Sequence, residues 1–285
     1  MDRSIASRPV PSNQQARRWR RAVVTGASSG IGESFARRLA AHGSDLVIVA
    51  RREERLERLA AELRRSHGVE VEVCVADVTD VDQLARVERL LTDDLRPVDL
   101  LVNNAGGQDV VAPFSTRTAD DLQKEAVLNA LVVLRLTHAA LRGMTTRNMG
   151  DIIQISSAVA FYPLPDGATY AASKAFVNSL SEAVNRELRG TGVRITVVCP
   201  GFTRTAIPAR LGFNETNIPR RLWQDPEAVV EVGLRAAARG KTVVSGLMNK
   251  VGAAMAYYLP RRLVLPYIER LQKPGLERAA ASSPG

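Results

Sequence analysis

The chain has 285 residues and a hydrophobic content of 45%, enough for the core of one α/β domain. Its net charge is +9, but residues 1–21 hold six arginines and one acid, and residues 241–285 hold seven bases and two acids. The body between them is therefore nearly neutral, which argues against a nucleic-acid-binding domain. No apolar run reaches the roughly 18 residues of a membrane span, and the three histidines lack metal-ligand spacing, so we expect neither a membrane helix nor a metal site.

The first predicted unit is a strand, a glycine-rich turn and a helix. The strand covers residues 21–25, the turn reads Gly26-Ala-Ser-Ser-Gly30-Ile-Gly32, and the helix covers residues 33–41. Gly26 permits a tight turn, Gly30 lets the backbone approach a ligand, and Gly32 lets the helix pack closely on the strand. Because a helix N-terminus after such a turn offers free N–H groups, the unit predicts a site for the pyrophosphate of a dinucleotide.

Arginines follow the second predicted strand, residues 46–50. Dinucleotide-binding folds place an acid here to hold the ribose 2′-hydroxyl, or an arginine to accept a 2′-phosphate. Neither Ala50 nor Arg51 is acidic, so Arg51 and Arg52 favour NADP(H) over NAD(H). The alternative is that both arginines only open the charged helix predicted over residues 53–63.

The third and fourth predicted strands, residues 71–75 and 99–102, both run into polar side chains. Asp77 follows the third strand, where its carboxylate either meets the adenine amine or caps the helix predicted over residues 81–94. The fourth strand ends in Asn103-Asn-Ala-Gly106. We expect this turn to pin neighbouring strands and to let the cofactor approach.

A long helix is predicted over residues 118–142. Asn129 lies within it among apolar neighbours, so its amide needs hydrogen-bond partners in the core. One interpretation is a structural asparagine that bridges to a backbone carbonyl; the other is a residue of the functional site.

The residues that carry chemistry lie on the next predicted helix, residues 168–188. Tyr170 and Lys174 are four residues apart and project from one face. A phenol has a pKa of about 10, and an ammonium group one turn away lowers that pKa toward the working range. Ser157, at the end of the strand predicted over residues 151–156, can donate to a carbonyl oxygen beside the phenol. The three side chains predict proton transfer to or from an oxygen, although Tyr-x-x-x-Lys alone also occurs by chance.

The remaining elements are a strand over residues 192–198, a helix over 225–239 capped by Asp225, and a last strand over 241–244. Residues 202–224 have no periodicity, and a segment of this length is typically a functional lid.

The two cysteines, Cys74 and Cys199, lie in apolar strands, which favours buried free thiols over a disulfide. Aromatic residues that would line an apolar pocket, or simply belong to the core, are Phe114, Phe161, Tyr162, Phe202 and Trp223.

The two ends of the chain are predicted to lie outside the folded domain of residues 21–245. Residues 1–20 are basic, polar and without periodicity, which predicts a disordered tail. Residues 246–285 hold two apolar patches around a pair of arginines, which predicts an amphipathic extension with a disordered end. We expect both ends to be solvated. The alternative is weak contact with an anionic membrane surface.

Over residues 21–245 the chain resembles the short-chain dehydrogenase/reductase family of NADP type. The matching pieces are Thr25-Gly-x-x-x-Gly-Ile-Gly32, Asp77, Asn103-Asn-Ala-Gly106, Asn129, Ser157, Tyr170-x-x-x-Lys174 and Pro200-Gly201. Strands and helices alternate along the chain, and crossovers between parallel strands are right-handed. The expected fold is therefore α/β: a single Rossmann-like doubly wound parallel sheet of about seven strands, in order 3-2-1-4-5-6-7, with helices on both faces.

The resemblance implies a role for each matched residue. Tyr170 would be the general acid in reduction and the base in oxidation, and Ser157 would hold the substrate oxygen. Lys174 would lower the tyrosine pKa and bind the nicotinamide ribose, and Asn129 would hold a water that relays protons. Arg51 would contact the 2′-phosphate. The residues expected to bind NADP(H) are Gly26, Ser28, Ser29, Gly30, Ile31, Gly32, Arg51, Arg52, Asp77, Val78, Asn104, Ala105, Gly106, Tyr170, Lys174, Pro200, Gly201, Thr203 and Thr205.

The implied function is an NADP(H)-dependent oxidoreductase that interconverts a carbonyl and an alcohol, with an apolar ketone or aldehyde as substrate. The resemblance also implies a homodimer or homotetramer, paired through the helices at 118–142 and 168–190, with no nucleic-acid partner. The expected location is cytoplasmic, with membrane association as the alternative. The alternative function is a cofactor-binding regulatory or membrane-peripheral protein without catalysis, but Ser157, Tyr170 and Lys174 are all present.

Overall fold

A computed structural model describes residues 19–213 and 218–258, in which seven strands form one parallel sheet. The strands are β1 Arg21–Thr25, β2 Asp45–Ala50, β3 Val71–Val75, β4 Leu100–Asn103, β5 Gly150–Ile155, β6 Val193–Cys199 and β7 Thr242–Val244. Their order is β3-β2-β1-β4-β5-β6-β7, and every neighbouring pair is parallel. The predicted fold class and strand order are confirmed.

Helices cover both faces of the sheet, which explains the nearly continuous apolar character of its central strands. One face packs against α1 Gly30–Ala41, α2 Glu53–His67 and α8 Pro226–Ala237. The other face packs against α3 Val81–Leu91, α5 Val132–Thr146 and α6 Ala168–Glu187. Three further helices are α4 Ala119–Ala126, α7 Ala206–Arg210 and α9 Leu247–Tyr258.

The long predicted helix is interrupted and ends later than expected. Thr118 caps it, since Thr118 Oγ1 accepts from the backbone N–H of Asp121 at 3.1 Å. A π-helical turn, Val127–Leu131, separates α4 from α5, and α5 continues to Thr146 rather than ending near residue 142. By length and composition alone, the run Ala119–Thr146 is apolar enough to cross a membrane, contrary to the expectation that no segment would be. Half of its most apolar window is buried inside the fold, and a core helix passes the same test.

Two predicted helix caps are corrected by the structure. Asp80, not Asp77, caps α3, because Asp80 Oδ1 accepts from the backbone N–H groups of Asp82 and Gln83. Asp225 precedes α8 without a side-chain cap hydrogen bond, and its carboxylate instead lies 3.1 Å from Arg204 Nη1. Asp77 instead accepts hydrogen bonds from Thr79, and Asp225 pairs with Arg204.

The segments flanking the predicted domain are partly described. Trp19 is buried, although it was predicted to belong to the disordered N-terminal tail. Its Nε1 donates to Asp151 Oδ2 at 2.7 Å. Residues 1–18 and 259–285, which hold most of both predicted ends, lie outside the described residues. Both cysteines are free thiols as predicted, but only Cys199 is buried; Cys74 is half-buried.

Candidate active site

The glycine-rich turn between β1 and α1 forms a cradle that a side chain would fill. Gly26 and Gly30 have φ values of +67° and +57°, in the left-handed region that favours glycine. A Cβ on Gly32 would overlap the carbonyl oxygen of Gly26, and one on Gly30 would lie 2.8 Å from Thr205 Cγ2. The helix begins at Gly30, three residues earlier than predicted, and no side chain caps its N-terminus. The turn therefore offers uncapped first-turn N–H groups and fits a dinucleotide pyrophosphate.

Replacing Gly32 with Ala is expected to weaken binding of NADPH at least about tenfold, since the added methyl group would push Gly26 and Asn104 out of the cradle. The measurement is a fluorescence titration of the purified protein with NADPH. A matched control is Gly252→Ala in α9, where an added Cβ meets nothing within 4 Å. Unchanged affinity in the Gly32→Ala variant would contradict the assignment of the cradle.

Arg52, rather than Arg51, lies on this turn. Arg52 Nη2 donates to Ser28 Oγ at 2.8 Å and to Ser29 Oγ at 2.7 Å, and Arg52 Nε donates to Ser28 Oγ at 3.1 Å. The exposed Arg51 points to Asp77 instead, with Nη1 3.6 Å from Oδ2. The arginine nearest to the phosphate-binding turn is therefore the second of the predicted pair.

Asp77 lies just beyond the end of β3, at the edge of the sheet where ligands collect in parallel folds. Its Oδ1 accepts from the Thr79 backbone N–H at 2.9 Å and from the Thr79 hydroxyl at 2.7 Å. Burial raises the pKa of this carboxyl, but the Thr79 hydrogen bonds and the charge of Arg51 together hold the pKa below its usual value. The helix-cap interpretation of Asp77 is wrong, and the adenine contact stays a prediction.

The turn after β4 fastens that strand to the start of the glycine cradle. The backbone N–H groups of Asn104 and Ala105 both donate to Thr25 Oγ1 at 3.0 Å. Asn104 Nδ2 donates to the carbonyl oxygens of Thr25 at 2.9 Å and Gly26 at 3.3 Å. The predicted pinning of neighbouring strands is confirmed, and Asn104 acts through the backbone that shapes the cradle.

Ser157, Tyr170 and Lys174 meet where β5 ends. Ser157 follows β5 directly, and α6 carries Tyr170 and Lys174. Ser157 and Tyr170 line the same cavity, and the Ser157 hydroxyl favours the ionised form of the Tyr170 phenol. Lys174 Nζ lies 5.7 Å from the centre of the Tyr170 ring and donates to the carbonyl oxygen of Ile155 at 3.0 Å. The structure thus brings the three predicted catalytic side chains together.

Asn129 joins the loop after β4 to the interrupted helix. It is fully buried in the π-helical turn. Its Nδ2 donates to the carbonyl oxygens of Gly107 at 2.8 Å and Glu125 at 2.9 Å, and its Oδ1 accepts from the Gly107 N–H at 2.9 Å. Both amide hydrogens are used on the backbone, as the structural interpretation expects. The role in holding a water stays a prediction.

Burial dominates the electrostatics of the site. Burial raises the pKa of the Tyr170 phenol, and the Ser157 hydroxyl only partly opposes that shift. Burial also lowers the pKa of Lys174 to about 8 and raises that of the Cys199 thiol to about 12. The pKa of Tyr170 is thus raised, so the expectation that Lys174 lowers it is wrong. The same apolar surroundings also disfavour the ammonium form of Lys174.

A cavity of about 170 Å³ opens beside Ser157 and Tyr170. Its walls are mainly apolar, with polar side chains contributed by Gln108 and Asn249. Two of the five predicted aromatic wall residues, Tyr162 and Phe202, line it; those that do not are Phe114, Phe161 and Trp223.

The other walls come from residues that sequence reasoning did not single out. The short helix α7 supplies Ile207 and Pro208, and α9 supplies Asn249, which lies against Gly201. Trp223 reaches the cavity only indirectly, through a ring contact of 5.5 Å between centroids with Phe202. No motif marks these positions. Ile207 and Pro208 fall within residues 202–224, the segment predicted to be a lid, and Asn249 falls beyond the predicted end of the folded domain.

Comparison with known proteins agrees with this geometry. The profile of the family described as short chain dehydrogenase matches residues 20–215. Serine 3-dehydrogenase from Agrobacterium fabrum is 36% identical over 195 residues, which cover 68% of this chain and 76% of that protein. The 17-beta-hydroxysteroid dehydrogenase type 3 from Rattus norvegicus is 31% identical over 243 residues, which cover 85% of this chain and 77% of that protein.

Solved structures show the same likeness. A short-chain dehydrogenase from Sphingobium yanoikuyae in complex with NADPH has a TM-score of 0.74 and 35% sequence identity to this chain. The match covers 86% of this chain and 95% of the solved one. These matches agree with the parallel sheet, the glycine cradle and the Ser157–Tyr170–Lys174 group. They show that the chain belongs to the short-chain dehydrogenase family.

Proposed function

We propose that the chain is an NADP(H)-dependent oxidoreductase that interconverts an apolar ketone or aldehyde and its alcohol. The observation that carries this proposal is that Ser157 and Tyr170 line one mainly apolar cavity, with Lys174 Nζ 5.7 Å from the centre of the Tyr170 ring. Relatives whose names describe dehydrogenases of a hydroxy amino acid and a hydroxysteroid support the reaction class.

The chain's own residues would hold the dinucleotide along the carboxyl edge of the sheet. The uncapped first turn of α1 would bind the pyrophosphate, and the fixed backbone around Asn104 keeps the cradle open. Lys174 would hold the nicotinamide ribose, and the loop from Pro200 to Thr205 would face the carboxamide. When bound, the nicotinamide supplies or accepts the hydride at the substrate carbon.

Proton transfer falls to Tyr170. In reduction the phenol gives its proton to the carbonyl oxygen while the carbonyl carbon gains the hydride, so the product is a neutral alcohol and the phenolate remains. Ser157, which lines the same cavity as the phenol, donates to the same substrate oxygen and keeps it within reach. The phenolate then recovers a proton from solvent, through Lys174 and the water that Asn129 would hold.

The preference for NADP(H) rests on Arg52. Its guanidinium donates hydrogen bonds to Ser28 and Ser29 in the turn after β1, and Arg52 itself lies just after the end of β2. A 2′-phosphate placed there would take the guanidinium as a bidentate partner. The solved relative bound to NADPH supports the same preference.

Replacing Arg52 with Gln is expected to weaken NADPH binding by about 10- to 100-fold, the scale of a charge-assisted hydrogen bond of about 1–3 kcal/mol, while leaving NADH affinity within about twofold. Fluorescence titrations with both cofactors measure this. The matched control is Arg51→Gln, which removes the same charge from a side chain that pairs with Asp77. If Arg51→Gln alone reduced NADPH affinity, the 2′-phosphate would belong to Arg51. If the unaltered protein bound neither cofactor, the oxidoreductase proposal would be wrong and only the membrane-peripheral alternative would remain.

We also propose a cytoplasmic homodimer or homotetramer. Apolar side chains remain exposed on the outer faces of the helices predicted to pair: Leu131, Leu134 and Phe176. Free thiols at both cysteines are typical of a reducing compartment. Weak contact of the basic ends with a membrane is the alternative that the charge distribution supports.

A further inference from the structure

The cavity beside Ser157 and Tyr170 is small and neutral. Of the described residues that line it, none carries a charge, and most are apolar. Its volume of about 170 Å³ is close to the roughly 150 Å³ in which an apolar protein cavity holds a benzene molecule. The cavity therefore suits a neutral substrate whose enclosed body is about one six-membered ring.

Gln108 is a deeply buried polar side chain in this apolar wall. It lies in the loop after β4 and is only 5% exposed. Its Nε2 donates to the carbonyl oxygens of Val110 at 3.0 Å and Asp166 at 3.2 Å. Because both partners are carbonyl oxygens, they fix the orientation of the amide: the nitrogen faces the two loops and Oε1 is left over.

The Oε1 atom of Gln108 is an acceptor that waits for a donor. No described residue donates to it, yet it is not among the enclosed side-chain atoms that lack a partner, so it reaches open space. The open space that Gln108 lines is the cavity. A ligand that filled the cavity without offering a donor would leave this oxygen buried and unpaired, which costs binding free energy.

The same side chain ties the acceptor to the catalytic tyrosine. Asp166, which accepts from Gln108, lies in the loop before α6, the helix that carries Tyr170. The backbone N–H of Ala112 donates to the same carbonyl oxygen at 3.1 Å. The loop after β4 and the start of α6 are thus held together, so that Oε1 and the phenol keep a fixed relation on the wall of one cavity.

Asn249 also lines the cavity but is less selective. It is half-buried, and its Nδ2 donates to the carbonyl oxygen of Ser245 at 2.9 Å. The amide has one more hydrogen and a carbonyl oxygen, so it serves donors and acceptors alike. Gln108, whose two amide hydrogens are both used, serves donors only.

We propose that Gln108 is a specificity-determining residue and that the substrate is a neutral hydroxy ketone or hydroxy aldehyde. Its carbonyl oxygen lies at Ser157 and Tyr170, and its hydroxyl donates to Gln108 Oε1. This inference rests on the proposed function and narrows its substrate class. Among the described walls an ammonium group would meet no carboxylate and a carboxylate would meet no cation, so a hydroxyl is the donor that fits.

The test measures kcat/KM for the NADPH-dependent reduction of matched ring ketones by the unaltered protein. Meta- and para-hydroxyacetophenone carry the donor, the corresponding methoxyacetophenones keep nearly the same electronic effect without it, and acetophenone controls for size. We expect the better hydroxyl isomer to exceed both its methoxy partner and acetophenone by about 10- to 100-fold. Para-acetylbenzoate, which carries a carboxylate, should react no faster than acetophenone. Equal rates within each hydroxyl and methoxy pair, or a preference for the carboxylate, would overturn the inference.

Two variants locate the acceptor. Gln108→Met removes both hydrogen-bonding groups, whereas Gln108→Lys keeps a donor for the carbonyl oxygens of Val110 and Asp166 but has no acceptor. Both should bring the hydroxyl-to-methoxy ratio of kcat/KM to within about threefold of unity, while a purely structural role would lower both rates and leave their ratio. The matched control is Gln123→Met, which changes an exposed glutamine of α4. An unchanged ratio in the folded variants would assign the donor to another residue and overturn the role of Gln108.

Binding without turnover separates this inference from the proposed function. A ketone and NADP⁺ cannot react, because neither supplies a hydride, so the ketones are titrated calorimetrically into the unaltered protein saturated with NADP⁺. Absence of turnover with NADPH would refute the function, while a preference of at least about tenfold for the hydroxyl ketone in binding would still support the recognition of a donor. Equal binding of hydroxyl and methoxy ketones, or binding of neither, would overturn the inference. This comparison needs no variant, so it decides even where a variant fails to fold.

Discussion

Replacing Tyr170 with Phe is expected to lower kcat for carbonyl reduction with NADPH by about 10²- to 10⁴-fold, the usual contribution of a positioned general acid. The change removes one oxygen atom and leaves the ring on α6. None of the contacts that form the glycine cradle involves the phenol oxygen. The Kd for NADPH should therefore stay within about threefold.

Steady-state kinetics over several pH values, together with a cofactor titration, check this expectation. Tyr258→Phe is the matched control, because Tyr258 is an exposed residue of α9. Equal loss of kcat in both variants would indicate damage to the fold rather than to the chemistry. Full turnover by Tyr170→Phe would refute the general-acid role and favour a cofactor-binding protein without catalysis.

Sequence reasoning predicted the sheet and the catalytic group because both depend on strong local patterns. Apolar runs of five to seven residues mark the buried parallel strands, and the glycine spacing from Gly26 to Gly32 is set by backbone geometry that no other residue tolerates. Tyr170 and Lys174 share a helix face at a fixed spacing, so their proximity required no knowledge of the rest of the fold.

Choices between adjacent residues could not be made in the same way. Arg51 and Arg52 have the same chemistry and differ by one position, yet only Arg52 lies on Ser28. Which of the two points to the cradle depends on how the chain turns after β2, and that turn carries no sequence signature. The pKa of Tyr170 was misjudged for a related reason: spacing placed Lys174 nearby but gave no measure of how strongly burial would act on both groups.

Long-range contacts were the hardest to predict. Asn249 reaches the cavity from a segment predicted to lie outside the domain. The buried ion pair of Arg117 and Glu125 was not predicted either, although Glu125 lies one helical turn before the buried Asn129. An acid in that position requires a buried cation, and Arg117 provides it.

Lys174 presents a conflict between stability and function. Its Nζ is buried, and burial lowers its pKa to about 8. Since an unfolded lysine has a pKa of about 10.4, the folded state disfavours the ammonium by about 3 kcal/mol. The sign follows from the depressed pKa: this cost is complete below pH 8, fades as the pH rises toward about 10.4, and is absent above it.

Replacing Lys174 with Met is therefore expected to raise the free energy of unfolding at pH 7 by up to about 2 kcal/mol, while lowering kcat at least about 100-fold. The gain is smaller than the full cost because the carbonyl oxygen of Ile155 loses its partner, a loss of about 1–3 kcal/mol. Denaturant unfolding at pH 7 and pH 10 measures the effect, with the exposed Lys124→Met as control. The advantage of Lys174→Met over the unaltered protein should shrink at pH 10. If the Met variant were less stable at pH 7, the site would stabilise the ammonium form of Lys174. If it were more stable but inactive, the buried cation would be kept for its chemistry despite its cost to the stability of the fold.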